Sequence, residues 1–249
     1  MKRIKLVVAY DGTAYSGWQL QPGQPTVEAE LNKALSALLR EDIAVIGASR
    51  TDAGVHALGN VAVFDTAGAI PADKLCLALN QRLPEDIRIQ SSREVPSGFH
   101  PRRTASRKTY VYKLLNRRIA LPTERLYANY IYYGLDVLLM QKACEYLIGE
   151  HDFKSFCSVK TQALDTVRTI YELEVQKTGD MIAITVTGSG FLYNMVRIIA
   201  GTLIEVGRGM YPPVRVGEIL AACDRKLAGP TAPARGLMLM GIEYPESLM

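Results

Sequence analysis

Strand and helix signals alternate along the first 95 residues in the order strand, helix, strand, strand, helix, strand, which leaves few folds open. Lys2 to Tyr10 reads as a strand, with apolar Ile4, Leu6 and Val8 set against Lys5. Thr26 is placed to cap a helix running to about Leu39, in which Val27, Leu31, Ala34, Leu35, Leu38 and Leu39 recur at helical spacing. Glu28 and Glu30 favour its first turn. Two β-branched apolar runs follow, Ile43 to Ile46 and Val61 to Phe64. Pro71 opens a second helix to about Arg82, and Ile87 to Val95 is the closing strand. This order specifies a ferredoxin-like half, an antiparallel sheet with two helices on one face.

The loop between the two apolar runs, Ser49 to His56, is more polar and longer than a tight hairpin needs. It brings Arg50, Asp52 and His56 within seven positions. In extended backbone Arg50 and Asp52 point to the same side. Local chemistry alone leaves two readings. An aspartate beside Gly54 is first a turn former, because its side chain caps its own backbone. The same carboxylate, between an arginine and a histidine, also suits catalysis. The preceding loop, Asp11 to Gln21, carries Trp18; Gly12 and Gly17 make turns, and Tyr15 and Trp18 plug the edge of the core.

From Ser97 to Asn116 the chain carries His100, Arg102, Arg103, Arg107 and Lys108, then Tyr110 and Tyr112 in strand alternation. Such a stripe suits nucleic acid, or a solvated linker between halves. We divide the chain there, into residues 1–105 and 106–249. The second half repeats the same element order: a helix from Asp136 to Gly149, a hairpin of Thr166–Gln176 and Met181–Thr187 about Gly179, a helix from Phe191, a short helix over 216–223, and a final strand from Gly236. No sequence repeat accompanies it. The fold class expected is α+β: two ferredoxin-like, RRM-like halves forming a continuous, mostly antiparallel sheet, with helices on one face and a central cleft. Arg197 sits among apolar Val196, Ile198 and Ile199, so a partly buried arginine in want of a carboxylate is expected there.

A chain of 249 residues that is 48% hydrophobic can bury a sizeable core. A net charge of +4 permits an anionic partner without requiring one. Cys76, Cys144, Cys157 and Cys223 form no CxxC pair, which speaks against zinc and a disulfide framework and for a reducing, cytoplasmic setting. No apolar run reaches the length of a membrane helix, and the N-terminus lacks a cleavage site. His151 and Asp152 are read as part of a helix-ending loop packed by Phe153 and Phe156, in preference to a metal site. Gly188 to Gly190 matches no nucleotide loop.

SRTDAGVHA, residues 49–57, resembles the motif of the TruA family of tRNA pseudouridine synthases. YDGTAYSGWQ, RKTYVYKL, HDFKSF, FLYNMVR and the closing GLMLMGIEY resemble that family's other motifs, so the likeness covers essentially the whole chain. It implies that Asp52 is the catalytic nucleophile, that Arg197 pairs with it, and that Tyr110 stacks on the target uracil and is a candidate proton shuttle. Tyr112 is left as core. Leu237 would line the uracil pocket, and Arg50 and Arg102 would grip RNA. The implied reaction isomerises uridine to pseudouridine at positions 38, 39 and 40 of the tRNA anticodon stem-loop, with no metal or cofactor, in a homodimer. Pro101 and Arg103 depart from the family's usual FxARxxA pattern, which touches only details of RNA contact. The rival reading, a non-catalytic RNA-binding protein, lacks an RNP motif and leaves the Asp52 loop unexplained.

Overall fold

The computed structural model describes residues 1–161 and 163–245. The chain divides into two units, one of Met1–Ser106 with the chain from Leu239 onward, the other of Arg107–Met238. Each is α+β with a mostly antiparallel sheet.

In the first unit, β1 (Lys2–Tyr10), α1 (Val27–Leu39), β2 (Ile46–Gly47), β3 (His56–Thr66), α2 (Leu75–Asn80) and β4 (Ile87–Val95) follow the expected order. The sheet runs β4-β1-β3, with β2 also on β3 and every pairing antiparallel. Thr26 caps α1 by accepting from the Ala29 amide. Alternate residues Ile4, Leu6 and Val8 of β1 are buried, as are Val27, Leu31 and Leu35 of α1 and Leu75 and Leu79 of α2. These apolar faces supply most of this unit's hydrophobic stabilisation, at about 1.5–3 kcal/mol per fully buried side chain.

Three expectations are corrected here. The run Ile43–Ile46 was expected to be a strand, yet β2 is only Ile46–Gly47. The reason lies in α1: Asn32 Oδ1 takes the Val45 amide at 2.9 Å and Ser36 Oγ takes the Ile43 amide at 3.0 Å. Those donors therefore go to helix side chains and not to a ladder. His56, expected in the loop, is the first residue of β3. The helix from Pro71 opens with a 3-10 turn over Ala72–Lys74 and ends at Asn80. The sheet face opposite Ile4 is not bare: Ala48, Val61, Val63, Val95, Phe99 and Tyr244 form a second small cluster on it. Lys5 is buried in that layer, its Nζ 5.3 Å from the Tyr244 ring centre and 6.0 Å from that of Phe99.

The second unit contains β5 (Arg107–Asn116), β6 (Asn129–Ile131), α3 (Val137–Cys144), β7 (Gly149–Asp152), β8 (Val167–Thr178), β9 (Met181–Gly188), α4 (Met195–Gly207) and α5 (Val214–Ala222). After them comes β10 (Leu237–Glu243), whose first two residues belong to this unit. The sheet order is β5-β9-β8-β7, antiparallel throughout, with β6 parallel to β5. The β8–β9 hairpin turns at Gly179, whose φ of +59° suits glycine. Tyr112 is fully buried, as a core residue.

Several boundaries differ from the expectation: His151 and Asp152, read as part of a loop, close β7, and the short helix expected over 216–223 spans Val214–Ala222. The helix expected from Asp136 to Gly149 ends at Cys144 and continues as a 3-10 turn to Leu147; Gly149, at φ +109°, starts β7. The helix expected from Phe191 starts at Met195, because Asn194 is left-handed at φ +62° and cannot lie inside a helix. Small Gly201 lies in α4 where Pro230 crosses it: a Cβ there would stand 1.8 Å from the Pro230 carbonyl oxygen.

Candidate active site

The Asp52 loop is held in the first unit by backbone contacts that only small residues permit. Trp18 N–H donates to Thr51 O at 3.0 Å, and Gly54 N–H to Tyr15 O at 3.3 Å. Gly17 has φ +94°, and a Cβ on it would lie 2.6 Å from Thr51 O. A Cβ on Gly12 would lie 2.0 Å from Val55 O. Both glycines of the DGTAYSGW loop are therefore needed for close passage of the Asp52 segment, beyond the turns they make. Gly54, at φ +76°, completes the bend, and the Val55 amide closes back on Asp52 O at 3.1 Å. Asp52 is half-exposed and Arg50 exposed, while their neighbours Ser49, Thr51 and Val55 are buried.

His56 is buried beneath this loop. Its Nδ1 lies 3.1 Å from the Gly12 amide nitrogen and 3.1 Å from Asp11 Oδ1. One ring nitrogen cannot accept from the amide and donate to the carboxylate at once. The amide has the stronger claim, since Asp11 Oδ1 already accepts from Thr13 N at 2.9 Å and Thr13 Oγ1 at 2.6 Å. His56 thus joins the two loops by accepting from Gly12. Trp18 is almost fully buried, with its ring centre 5.9 Å from that of Tyr10, as a structural support.

Tyr110, Arg197 and Leu237 lie in the second unit. Tyr110 is buried on β5, its ring meeting Phe191 edge to face at 5.2 Å. Phe191 opens the FLYNMVR stretch that leads to Arg197. Arg197 is half-buried near the start of α4. Its Nε donates to Ala232 O at 2.7 Å and its Nη1 to Asn194 Oδ1 at 2.9 Å. The Ala232 amide returns a bond to Arg197 O at 3.1 Å.

The segment after α5 is fastened along its length. Thr202 Oγ1 accepts from Gly229 N at 2.9 Å, Pro230 crosses at Gly201, and Pro233 O accepts from Tyr112 Oη at 2.8 Å. Gly236 sits against the Tyr112 ring and delivers Leu237, which is buried. Arg197 and the approach to Leu237 are thus brought together through Ala232 and Tyr112. Burial pushes the Tyr112 hydroxyl pKa up, against the opposing pull of the Arg197 and Arg235 charges. Asn194, Gly201 and the 229–236 segment were not singled out as site residues from sequence. The two glycines, Gly229 and Gly236, were the available signal.

Arg102 is exposed in the turn after Phe99, and its amide and that of Arg103 donate to His100 Nδ1 at 3.2 and 3.3 Å. Desolvation, then the Arg103 and Arg102 charges, lower the His100 pKa. In HDFKSF, Phe153 and Phe156 are fully buried. Asp152 is occupied by Thr166 Oγ1 at 2.6 Å and the Lys154 amide at 3.0 Å, and His151 by Ile148 O at 2.9 Å. Among the described residues no group of three His, Cys, Asp or Glu side chains is placed to hold a metal ion.

Comparison with known proteins gives this geometry a family. Residues 6–102 and 143–245 match the profile of tRNA pseudouridine synthase. The tRNA pseudouridine synthase A of Brevibacillus brevis is 52% identical over 244 residues, covering 98% of this chain and all of that protein. Those of an Exiguobacterium species and of Bacillus subtilis are 48% and 46% identical over 244 residues, covering 98% and 97% of this chain and 98% and 99% of theirs. The chain belongs to the tRNA pseudouridine synthase family, whose members are isomerases.

Proposed function

We propose that the chain isomerises uridine to pseudouridine at positions 38, 39 and 40 of the tRNA anticodon stem-loop, with Asp52 as nucleophile and no cofactor. The observation that carries this reading is the Asp52 loop itself. A half-exposed carboxylate stands on a backbone pinned by Gly12, Gly17 and buried neighbours, which is more restraint than a turn requires. Pre-organisation of this kind is what a reacting group needs. In the reaction the bond from uracil N1 to the ribose breaks and one from C5 forms; the C5 proton leaves and N1 takes one up. The balance needs no oxidant or reductant.

In this reading Arg197 pairs with Asp52 and keeps it ionised, since an opposite charge within about 4–6 Å lowers a carboxyl pKa. The bonds from Arg197 to Asn194 and Ala232 support the role, because they restrict where its guanidinium points. Tyr110 stacks on the uracil, worth roughly 1–3 kcal/mol per base. That ring is buried, so stacking requires it to be uncovered as RNA enters. Leu237 lines the base pocket, and Arg50 and Arg102 grip phosphate, as their exposure allows. The target base leaves its stack first, at a cost of a few kcal/mol. The protein works as a homodimer in the cytoplasm.

The test uses tRNA tritiated at C5 of uridine, because forming the C5 bond releases that hydrogen to water. Release by the wild type and none by Asp52→Asn, with tRNA binding retained, is expected. Turnover by Asp52→Asn removes the nucleophile assignment. Tight binding without release from any tRNA moves the reading to an RNA-binding module.

A further inference from the structure

We infer that Tyr10 and Asn60 are positioning residues that set the register of the Asp52 loop through a buried hydroxyl–amide relay; this rests on the reading of Asp52 as the reacting group. Asn60 is fully buried on β3, a strand otherwise lined with Ala57, Val61, Ala62, Val63 and Phe64. A buried carboxamide in such a strand is costly unless every polar atom is met. Here each is used. Asn60 Oδ1 accepts from the Ser49 amide at 3.2 Å and from the Val61 amide at 2.9 Å. Nδ2 donates to Ser49 O at 3.0 Å and to Tyr10 Oη at 3.3 Å. Tyr10 Oη in turn lies 2.7 Å from Thr51 Oγ1. The carboxamide thus reads both backbone groups of Ser49, three residues before Asp52. Tyr10 reads the side chain of Thr51, the residue directly before it.

The sheet is irregular immediately beside this relay. Along β1 the partner of Val8 is Asn60, but the partner of Tyr10 is Ala57, so β3 carries one extra residue across Leu58–Gly59. Strand alternation would have put Asn60 and Ala57 on opposite faces. Asn60 faces with Val8 and Tyr10 by regular pairing, and the bulge brings Ala57 to that same face. A bulge also needs room, and Gly59 gives it: a Cβ there would lie 2.8 Å from Met240 O. The relay requires these particular groups. A leucine at 60 cannot meet Ser49, an aspartate cannot donate to Ser49 O, and phenylalanine at 10 loses the link to Thr51.

The experiment measures tritium release by the full-length protein carrying Tyr10→Phe, Thr51→Val or both, with Asp52→Asn alongside. The relay predicts that each single variant loses on the order of 10-fold in kcat with KM and tRNA affinity within about twofold, since small displacements of a reacting group cost rate and not binding. The double variant should be no worse than either single, because the two hydroxyls act as one unit. Thr51→Ser, which restores the hydroxyl, should recover most of the loss. Unchanged kcat in Tyr10→Phe or Thr51→Val overturns the proposal, as do losses that multiply in the double variant or changes confined to KM. Full activity in Asp52→Asn overturns the reading of Asp52 itself and the relay with it. An inactive Asp52→Asn beside a normal Tyr10→Phe overturns the relay alone. Tyr10→Phe keeps the ring and its packing, so the fold is preserved for the comparison.

Discussion

Replacing Gly201 with alanine sets two effects of opposite sign against each other. In a helix interior alanine is better than glycine by roughly 0.5–1 kcal/mol, so propensity alone predicts a more stable protein. The tertiary structure predicts the reverse. The new Cβ would lie 1.8 Å from Pro230 O, and ordinary contact begins at about 3.4 Å, so Pro230 must recede by about 1.6 Å. The obstructing atom belongs to backbone, which has no rotamer to change. Overpacking costs about 1–3 kcal/mol, and an overlap with rigid backbone falls in the upper part of that range, about 2–3 kcal/mol, which outweighs propensity and leaves a net loss of about 1–2.5 kcal/mol. Ala232 is two residues beyond Pro230, and its carbonyl is 2.7 Å from Arg197 Nε. If the segment moves as a body by 1.6 Å along that line, the separation passes about 4 Å and the bond is gone. Loss of orientation at Arg197 predicts a fall in kcat on the order of 100-fold, the scale associated with a 1 Å misplacement. Urea denaturation and tritium release from C5-labelled tRNA measure the two quantities on one preparation. A Gly201→Ala protein that is as stable as the wild type, with unchanged kcat, refutes the reasoning, since the segment would then be shown to yield without disturbing Arg197.

Other outcomes follow from the same geometry. Gly17→Ala, at φ +94° and against Thr51 O, should cost about 1–3 kcal/mol and lower kcat by displacing the Asp52 loop; full activity would show that the loop adapts. Thr26→Ala removes the α1 cap and should cost about 1 kcal/mol in denaturation while leaving kcat unchanged. Lys5 gives a pH signature. Desolvation, then the Arg93 charge, bring its pKa from 10.5 to about 8. Because the folded state releases this proton before the unfolded chain does, stability rises between about pH 8 and pH 10.5. The full shift is worth about 3 kcal/mol, and nearer 1–2 kcal/mol once solvent screening at the ammonium is allowed for. Read as the difference between the wild type and Lys5→Met, this slope separates from tyrosine ionisation; parallel pH curves for the two proteins would remove it. Arg197→Leu should lose both activity and stability, and a variant that keeps both argues against the proposed pairing of Arg197 with Asp52.

Much of this architecture is local, and local chemistry is legible. Both ends of β1 and β4, the Thr26 cap, the end of α1 and the turn at Gly179 stand where alternation, capping and glycine predict. The motifs about Asp52, Tyr110, Arg197 and Leu237 were legible through their resemblance to those of the tRNA pseudouridine synthases; by chemistry alone only the polar Asp52 loop and an arginine among apolar residues stand out. What local pattern could not decide is where distant groups intervene. Ile43–Val45 has strand chemistry, but α1 side chains claim its amides. Phe191–Asn194 has helix chemistry, but Asn194 takes a left-handed conformation and bonds Arg197. Lys5 alternates like a surface residue, yet Phe99 and Tyr244 come from remote parts of the chain to cover it. Asn60 was not singled out from sequence, and only the fold shows its carboxamide meeting Tyr10 and both backbone groups of Ser49. By itself the sequence determined the elements and the chemistry carried on them, since backbone preference and hydrophobic period act over a few residues. Only the tertiary structure decided which amides were already taken, which glycines were crossings, and which polar groups fasten the Asp52 loop and Arg197, because each of those depends on how the folded backbone sets one group against another, which hydrophobic period and propensity do not encode.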